Sequence, residues 1–439
     1  MKNDKKPKVA IFWHRRDLRL ADNAGLYHAL NSGLPVLPLF IFDRNILDKL
    51  TNRHDQRITF IYDQLIDLKK TLQQKGSDLL VRYGTPDAVW LQILEEYDVR
   101  AVYTNRDYER YAIERDDQIA AIMSQSSIPF YTFKDHVIFE KREILSGQGT
   151  PYTVFTPYSN AWRARCTDFY LKSYPSEERL DRLCKASDLP FPTLAQMDFT
   201  HTNSAFPQKK VSPDLMASYE EQRNYPALQG TSQIGIHLRF GTISIRSLAR
   251  KAKETSFTYL NELIWRDFYQ QILANFPHVG EGKAFRSAYD LIGWRNNEEE
   301  FQLWCEGRTG YPLVDAGMHE LNTTGYMHNR VRMVTASFLV KHLLIDWRWG
   351  EAYFAEKLLD YDFAANNGGW QWAAGSGTDA APYFRIFNPA AQAQKFDAKG
   401  EYIKKWVPEL NSLSYPSPIV DHKFARERCL KTYKEALNR

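Results

Sequence analysis
Two kinds of hydrophobic pattern divide the chain. In the first part, short apolar runs alternate with amphipathic stretches. Lys8–Trp13 (KVAIFW) and Leu34–Asp43 (LPVLPLFIFD) are rich in branched and aromatic residues and predict buried parallel strands. Between them, Asp22–Ser32 has a capping Asp and helical spacing. A helix is predicted over Gln56–Gln74, a strand at Asp78–Tyr83, a helix near Asp87–Glu96 and a strand at Val99–Thr104. The alternation predicts a doubly wound, Rossmann-like α/β domain over residues 1–130. No GxGxxG occurs in it, so an ordinary dinucleotide site has little support.

Residues 131–204 read as a linker with short ordered pieces, Pro-rich at LPFPTL (Leu189–Leu194). From residue 205 to 439 the apolar period is helical, which predicts an all-α second domain. Helices are expected at Asp214–Asn224, Thr242–Lys253, Tyr259–Asn275, Glu298–Glu306, Leu313–Thr323, His328–Asp346 and Glu351–Leu359. There is no internal repeat.

Composition changes this picture little. The length of 439 residues suits two or three domains, and the net charge of +4 permits nucleic-acid binding without demanding it. Cys166, Cys184, Cys305 and Cys429 are scattered, so a disulfide framework or a metal site is not expected. The charged start MKNDKKPKVAIFW lacks the pattern of a secretory signal, and no apolar run is long enough to span a bilayer. The expectation is a cytoplasmic, membrane-free monomer with no obligate protein partner.

The chemistry is concentrated between Thr309 and Pro389. LLDYDFAANNGGWQWAAGSGTDAAPYFRIFNP (Leu358–Pro389) crowds tryptophans, paired amides and paired glycines into a segment with few charges. Gly368-Gly369 lets backbone approach a bulky object, and the aromatics supply flat walls. Upstream, GYMHNRVRMVTASFLVKHLLIDWRWG (Gly325–Gly350) carries Asn329 and Arg332 near the start of a helical repeat. With HRRDLRLADN (His14–Asn23), TPYTVFTPYSNAWR (Thr150–Arg163) and ASYEEQRNYPALQGTSQIG (Ala217–Gly235), these motifs closely resemble the photolyase/cryptochrome family, in particular the class I photolyases for cyclobutane pyrimidine dimers. The resemblance covers nearly the whole chain.

The resemblance implies an FAD-binding helical domain behind an antenna-type α/β domain. It implies Tyr219, Arg223, Thr231 and Ser232 near the FAD diphosphate, although Gly235-Ile236 stands where a Ser-Pro pair is common. Arg332 and Asp360 would pair beside the ring system, Asp362 would lie near the ribose or ring edge, and Asn366 would face the flavin N5. The lesion pocket maps onto Glu262, Trp265, Asn329, Met333 and Trp372; an ion pair of Glu262 with Arg266 is the plainer reading of that spacing. Asn366 can equally be read as a turn residue before Gly368, and Met333 as core filling. Trp370, Trp347 and Trp294 match an electron route to the surface, and Arg330 and Arg385 match contacts to the DNA backbone.

Several substitutions sort the subfamilies. Asparagine at 366 favours repair over plant-type signalling, and Met333 stands where DASH cryptochromes carry glutamine. The histidine pattern of (6-4) photolyases is absent after His328. The expected activity is therefore light-driven repair of pyrimidine dimers in DNA, in which reduced FAD lends an electron to a flipped-out dimer. The alternative is a cryptochrome-type blue-light receptor acting through protein partners. For a second, antenna chromophore, Tyr111 and Ala112 replace the Asn-Glu of the folate pattern and Glu281 replaces a helpful lysine. Methenyltetrahydrofolate is thus disfavoured, while a deazaflavin, another flavin or an empty site all stay open.

Overall fold
A computed structural model describes residues 6–438; residues 1–5, which open the charged N-terminal stretch, and Arg439 lie outside the described residues. The first segment runs β1 (Lys8–His14), α1 (Ala24–Leu30), β2 (Val36–Asp43), α2 (Arg44–Leu47), α3 (Gln56–Gln73), β3 (Leu80–Gly84), α4 (Pro86–Glu96), β4 (Asp98–Asn105), α5 (Arg110–Gln125) and β5 (Phe130–Phe133). All five strands are parallel, in the order β3-β2-β1-β4-β5. Both faces are covered, as the unbroken apolar runs require. Val9, Ile11 and Trp13 pack with Leu37, Leu39 and Trp90 on one face, while Ala10 and Phe12 pack with Leu26, Phe40 and Leu65 on the other. Pro38 is tolerated within β2 because β3 pairs only from Leu39 onward.

Downstream the chain forms α6 (Phe155–Arg165), α7 (Pro213–Gln222), α8 (Gly235–Arg239), α9 (Ile245–Thr255), α10 (Phe257–Asn275), α11 (Glu298–Glu306) and α12 (Pro312–Thr324). It continues with α13 (Asn329–Ser337), α14 (Trp347–Lys357), α15 (Phe363–Ala374), α16 (Pro389–Phe396), α17 (Glu401–Trp406) and α18 (His422–Leu437). Two compact units result, interleaved in sequence. One holds residues 1–140, 165–210 and 234–254; the other holds 141–164, 211–233 and 255–439.

This division differs from the expected 1–130, 131–204 and 205–439, for identifiable reasons. Residues 165–210 belong with the sheet: the Cys184 amide donates to the Val36 carbonyl at 2.7 Å beside β2. Residues 234–254 do too, since Phe240 packs near Phe60 and Arg246 reaches Asp22. Residues 141–164 instead carry α6, which packs on α10.

The HRRDLRLADN stretch is a buried ionic loop. Arg19 and Arg246 both bond Asp135, at 2.6 and 2.8 Å. Burial alone would raise the Asp135 carboxyl, but the two guanidinium groups outweigh it and hold the group well below the carboxylate range. Asn23, not Asp22, caps α1; Asp22 takes a φ of 48° and accepts from Ser244 and Arg246.

The single helix expected over His328–Asp346 is broken. After α13 the chain widens into a π-helical turn at Phe338–His342, and Leu344 reaches a φ of 50°. Every residue from Phe338 to Ile345 is buried, so no solvent-facing stripe holds a regular helix in register here. Asp346 then caps α14, which begins at Trp347 rather than at Glu351.

Candidate active site
Three helices of the second unit converge on one cavity of about 380 Å³. α10 contributes Glu262, Trp265 and Tyr269, spaced three and four apart so that they share a face. α13 contributes Asn329, Arg332, Met333 and Ala336 at the same spacing. α15 contributes Asn366, Gly369, Trp370, Trp372 and Ala373, and its capping residue Asp362 lines the cavity with Asp360.

α15 is not among the expected helices, because Asn-Asn-Gly-Gly is a poor helix sequence. It forms because Asp362 accepts from the Ala365 amide and because Gly368 lets it pack against Tyr269. A Cβ on Gly368 would come within 2.2 Å of the Tyr269 ring, whereas one on Gly369 would meet nothing within 4 Å. One glycine thus admits a neighbour and the other leaves the cavity open. Asn366 lies inside this helix and not in a turn.

Arg332 bonds Asp360 at 2.9 Å and the Met327 carbonyl at 2.6 Å. The other Asp360 oxygen is buried without a protein partner, an acceptor left for something in the cavity. Asp362 accepts from Gln270 at 3.0 Å. Asn366 donates one amide N–H to the Glu351 carbonyl at 3.0 Å, which fixes the side chain and leaves Oδ1 as an acceptor it can present. These groups suit a flat, polar-edged ring: an orphaned carboxylate oxygen, a fixed guanidinium, an amide acceptor and the open space over Gly369.

Glu262 takes a partner that local spacing does not point to. The Glu262 carboxylate is bonded by Arg223, not by Arg266, and both line the cavity. Arg223 is the C-terminal cap of α7, 39 residues away in sequence, and from there it reaches Glu262 on α10. Burial pushes the Glu262 carboxyl up, and Arg223 partly offsets this. Trp265 stacks on Phe155 with centroids 3.6 Å apart and planes at 4°.

Of the remaining expected residues only Trp370 lines the cavity. The Tyr219 ring is 5.1 Å from Tyr259; Ser232 and Tyr259 share a 2.9 Å hydroxyl bond, and Thr231 and Tyr326 one of 3.2 Å. Arg330 is pinned by Asn224 at 2.7 Å and lies 4.3 Å over Phe396, while Arg385 is exposed. Trp370 and Trp347 are buried in one core, and Trp294 packs against it, 6.0 Å from Tyr433.

Glu351, Tyr269 and Phe155 escape the sequence reading. Glu351 accepts from Asn367 at 3.0 Å, and burial chiefly raises its carboxyl to about 7. Its only signal is its place four residues after Trp347, beside a glycine whose missing side chain makes room for the Trp370 ring. Among the described residues no helix is long and apolar enough to cross a membrane, and no group of three or more His, Cys, Asp or Glu is placed to hold a metal.

Comparison with known proteins gives a consistent picture. Residues 10–179 match the family described as DNA photolyase, and residues 259–414 match the FAD binding domain of DNA photolyase. A deoxyribodipyrimidine photo-lyase of Synechococcus is 37% identical over 470 residues, spanning 97% of this chain and 96% of that one. A bacterial class III photolyase from Agrobacterium tumefaciens superposes with a TM-score of 0.86 at 31% identity, covering 100% of this chain and 99% of that one. An archaeal photolyase from Sulfolobus tokodaii, solved with two FAD molecules, gives 0.81 at 34% identity, covering 97% and 100%.

Proposed function
The chain belongs to the DNA photolyase family, and from that premise we propose that it repairs cyclobutane pyrimidine dimers in DNA under light, as a class I enzyme. The observation that carries the reading is the joint lining of one cavity by two sets of residues: Arg332, Asp360 and Asn366, which suit a flavin ring, and Glu262, Trp265, Asn329, Met333 and Trp372, which suit a pyrimidine pair. Reduced FAD bound there supplies a photoexcitable one-electron donor.

The chain's own residues do the rest. Trp265 and Trp372, both lining the cavity, would pack against the two linked pyrimidines, and flipping the target out of the helix is a step that photolyases share with other enzymes acting on bases. Glu262, held by Arg223, places a polar edge where pyrimidine carbonyl and imide groups would sit. A dimer that accepts one electron opens its cyclobutane ring and returns the electron, so no net redox change occurs. Charge developing on the dimer would be met by fixed polar groups, which count more once the bound dimer displaces water than they do in bulk solvent. Arg330 and Arg385 would contact phosphates, adding affinity and salt dependence without sequence preference. Tyr219, Thr231 and Ser232 would take the diphosphate end of FAD. Trp370, Trp347 and Trp294 would refill an oxidised cofactor from outside.

A second chromophore on the α/β unit is compatible with this reading, and we propose that it is not methenyltetrahydrofolate. Tyr111 is occupied: its hydroxyl donates to Asp43 at 2.5 Å, and Lys49 lies 5.8 Å from its ring. Pigments released from the purified protein should contain FAD and no stoichiometric folate. The repair assay is illumination of the reduced holoprotein with dimer-containing and (6-4)-containing oligonucleotides. Restored thymines from the first alone support the reading; light-induced change in the protein without repair of either would favour a receptor.

A further inference from the structure
We infer that Phe155 is a positioning residue for damaged DNA, one that sets the plane of Trp265 from outside the cavity; the inference rests on the lesion-pocket reading above. Phe155 does not line the cavity, and by sequence it belongs to the stretch between the two expected domains. Yet its ring lies parallel to Trp265 at 3.6 Å, a full face-to-face stack, and is itself buried. Phe268 closes the pair edge-on, 5.7 Å from Phe155 and 5.6 Å from Trp265. One face of the indole is therefore used up, and what remains of it is turned to the cavity.

The rest of α6 makes this stack rigid. Phe155, Ser159 and Trp162 follow one helical face, and all three engage α10. Ser159 donates to Asn261 at 3.0 Å, and the buried Trp162 indole donates to Asp267 at 3.0 Å. Just upstream, the Tyr152 carbonyl accepts from Gln271 at 2.8 Å. α6 thus braces the helix that carries Glu262 and Trp265 from one side along several turns.

Phe155 has a second tie. Its backbone amide stabilises the Asp379 carboxylate against the upward push of burial, and Asp379 sits at a φ of 48°, uncommon outside glycine. Asp379 begins the loop that bears exposed Phe384 and Arg385. The Phe155 backbone amide thus lies near the root of that loop, whatever side chain the position carries.

The test compares Phe155→Met, which keeps apolar volume but loses the flat ring, with Phe155→Tyr, which keeps the ring. Affinity for dimer-containing and undamaged duplex is measured with the reduced holoprotein, together with repair rate at saturation and FAD content. Base–aromatic stacking energies make a weakening of about tenfold for dimer DNA a reasonable size. The expected result is that loss for Phe155→Met only, with undamaged-duplex binding, saturated repair rate and FAD content near wild type, and with Phe155→Tyr close to wild type throughout. Unchanged dimer affinity in Phe155→Met, or equal loss on both duplexes, overturns the inference while leaving the lesion pocket standing. A wild-type protein with no preference for dimer DNA overturns both. If Phe155→Met fails to fold, Ser159→Ala takes its place: it removes one hydrogen bond of the same brace, and a loss confined to dimer DNA is again required.

Discussion
Single side chains decide most of the chemistry here, and Glu262 is the most exposed of them to test. Its carboxylate is shared between burial, which favours the neutral acid, and Arg223, which favours the anion. Either way, a polar group is fixed at the wall where the dimer would lie. Glu262→Ala should lower repair per absorbed photon by about tenfold or more, given what one lost hydrogen bond to developing charge costs in other sites. Glu262→Gln, which keeps a donor, should lose less. FAD content should change little in both, and unchanged yield with a lowered melting temperature would reduce Glu262 to a structural ion pair. Glu351 gives a pH prediction. Its folded carboxyl is raised to about 7 from an ordinary value near 4.5, so the native state binds the extra proton between those values. Stability from this group is present at low pH and lost as pH rises through about 7. Thermal unfolding followed from pH 5 to 8 should show that decline in wild type and a flatter profile in Glu351→Gln; parallel profiles would mean the carboxyl does not titrate there.

At the scale of elements, α15 is the part that gives the site its shape, and its two glycines make opposite predictions. Gly368→Ala forces a methyl into the Tyr269 ring and should cost about 1–3 kcal/mol of stability, as overpacking does. Gly369→Ala meets no protein atom and gains helix propensity, so stability should hold or rise slightly, while flavin occupancy falls because the methyl enters the cavity. Melting temperature and bound FAD measured on both variants separate the two roles. The tryptophan row yields another expectation. Trp294→Phe should slow photoreduction of oxidised FAD yet leave repair nearly normal once FAD is chemically reduced; equal loss in both assays would make the ring structural.

The same elements show what the sequence makes legible. α11, with its Asn297 cap, lies where the apolar period predicts, over Glu298–Glu306. The parallel arrangement follows from the apolar runs, although α5 and β5 are not separately foreseen by them. α15 and α6 escape because their stability comes from packing partners far away in sequence, not from propensity or period. Arg223 with Glu262, and Phe155 with Trp265, are likewise contacts that no local spacing encodes. Family resemblance brings most cavity residues together as neighbours; it does not say which would hold which.

For the whole molecule, one cavity in the helical unit is lined both by residues that suit a flavin ring and by residues that suit a pyrimidine dimer, and the proposed repair needs the two together there. The family membership, the shared lining and the orphaned Asp360 oxygen all bear on it. The most direct measurement irradiates the reduced holoprotein with an oligonucleotide carrying one cyclobutane thymine dimer and counts restored thymines against absorbed photons. Restoration should require light and bound FAD, proceed through many turnovers without consuming reductant, and fall in Glu262→Ala. Protein with full FAD that binds the oligonucleotide yet restores no thymines in the light would contradict it.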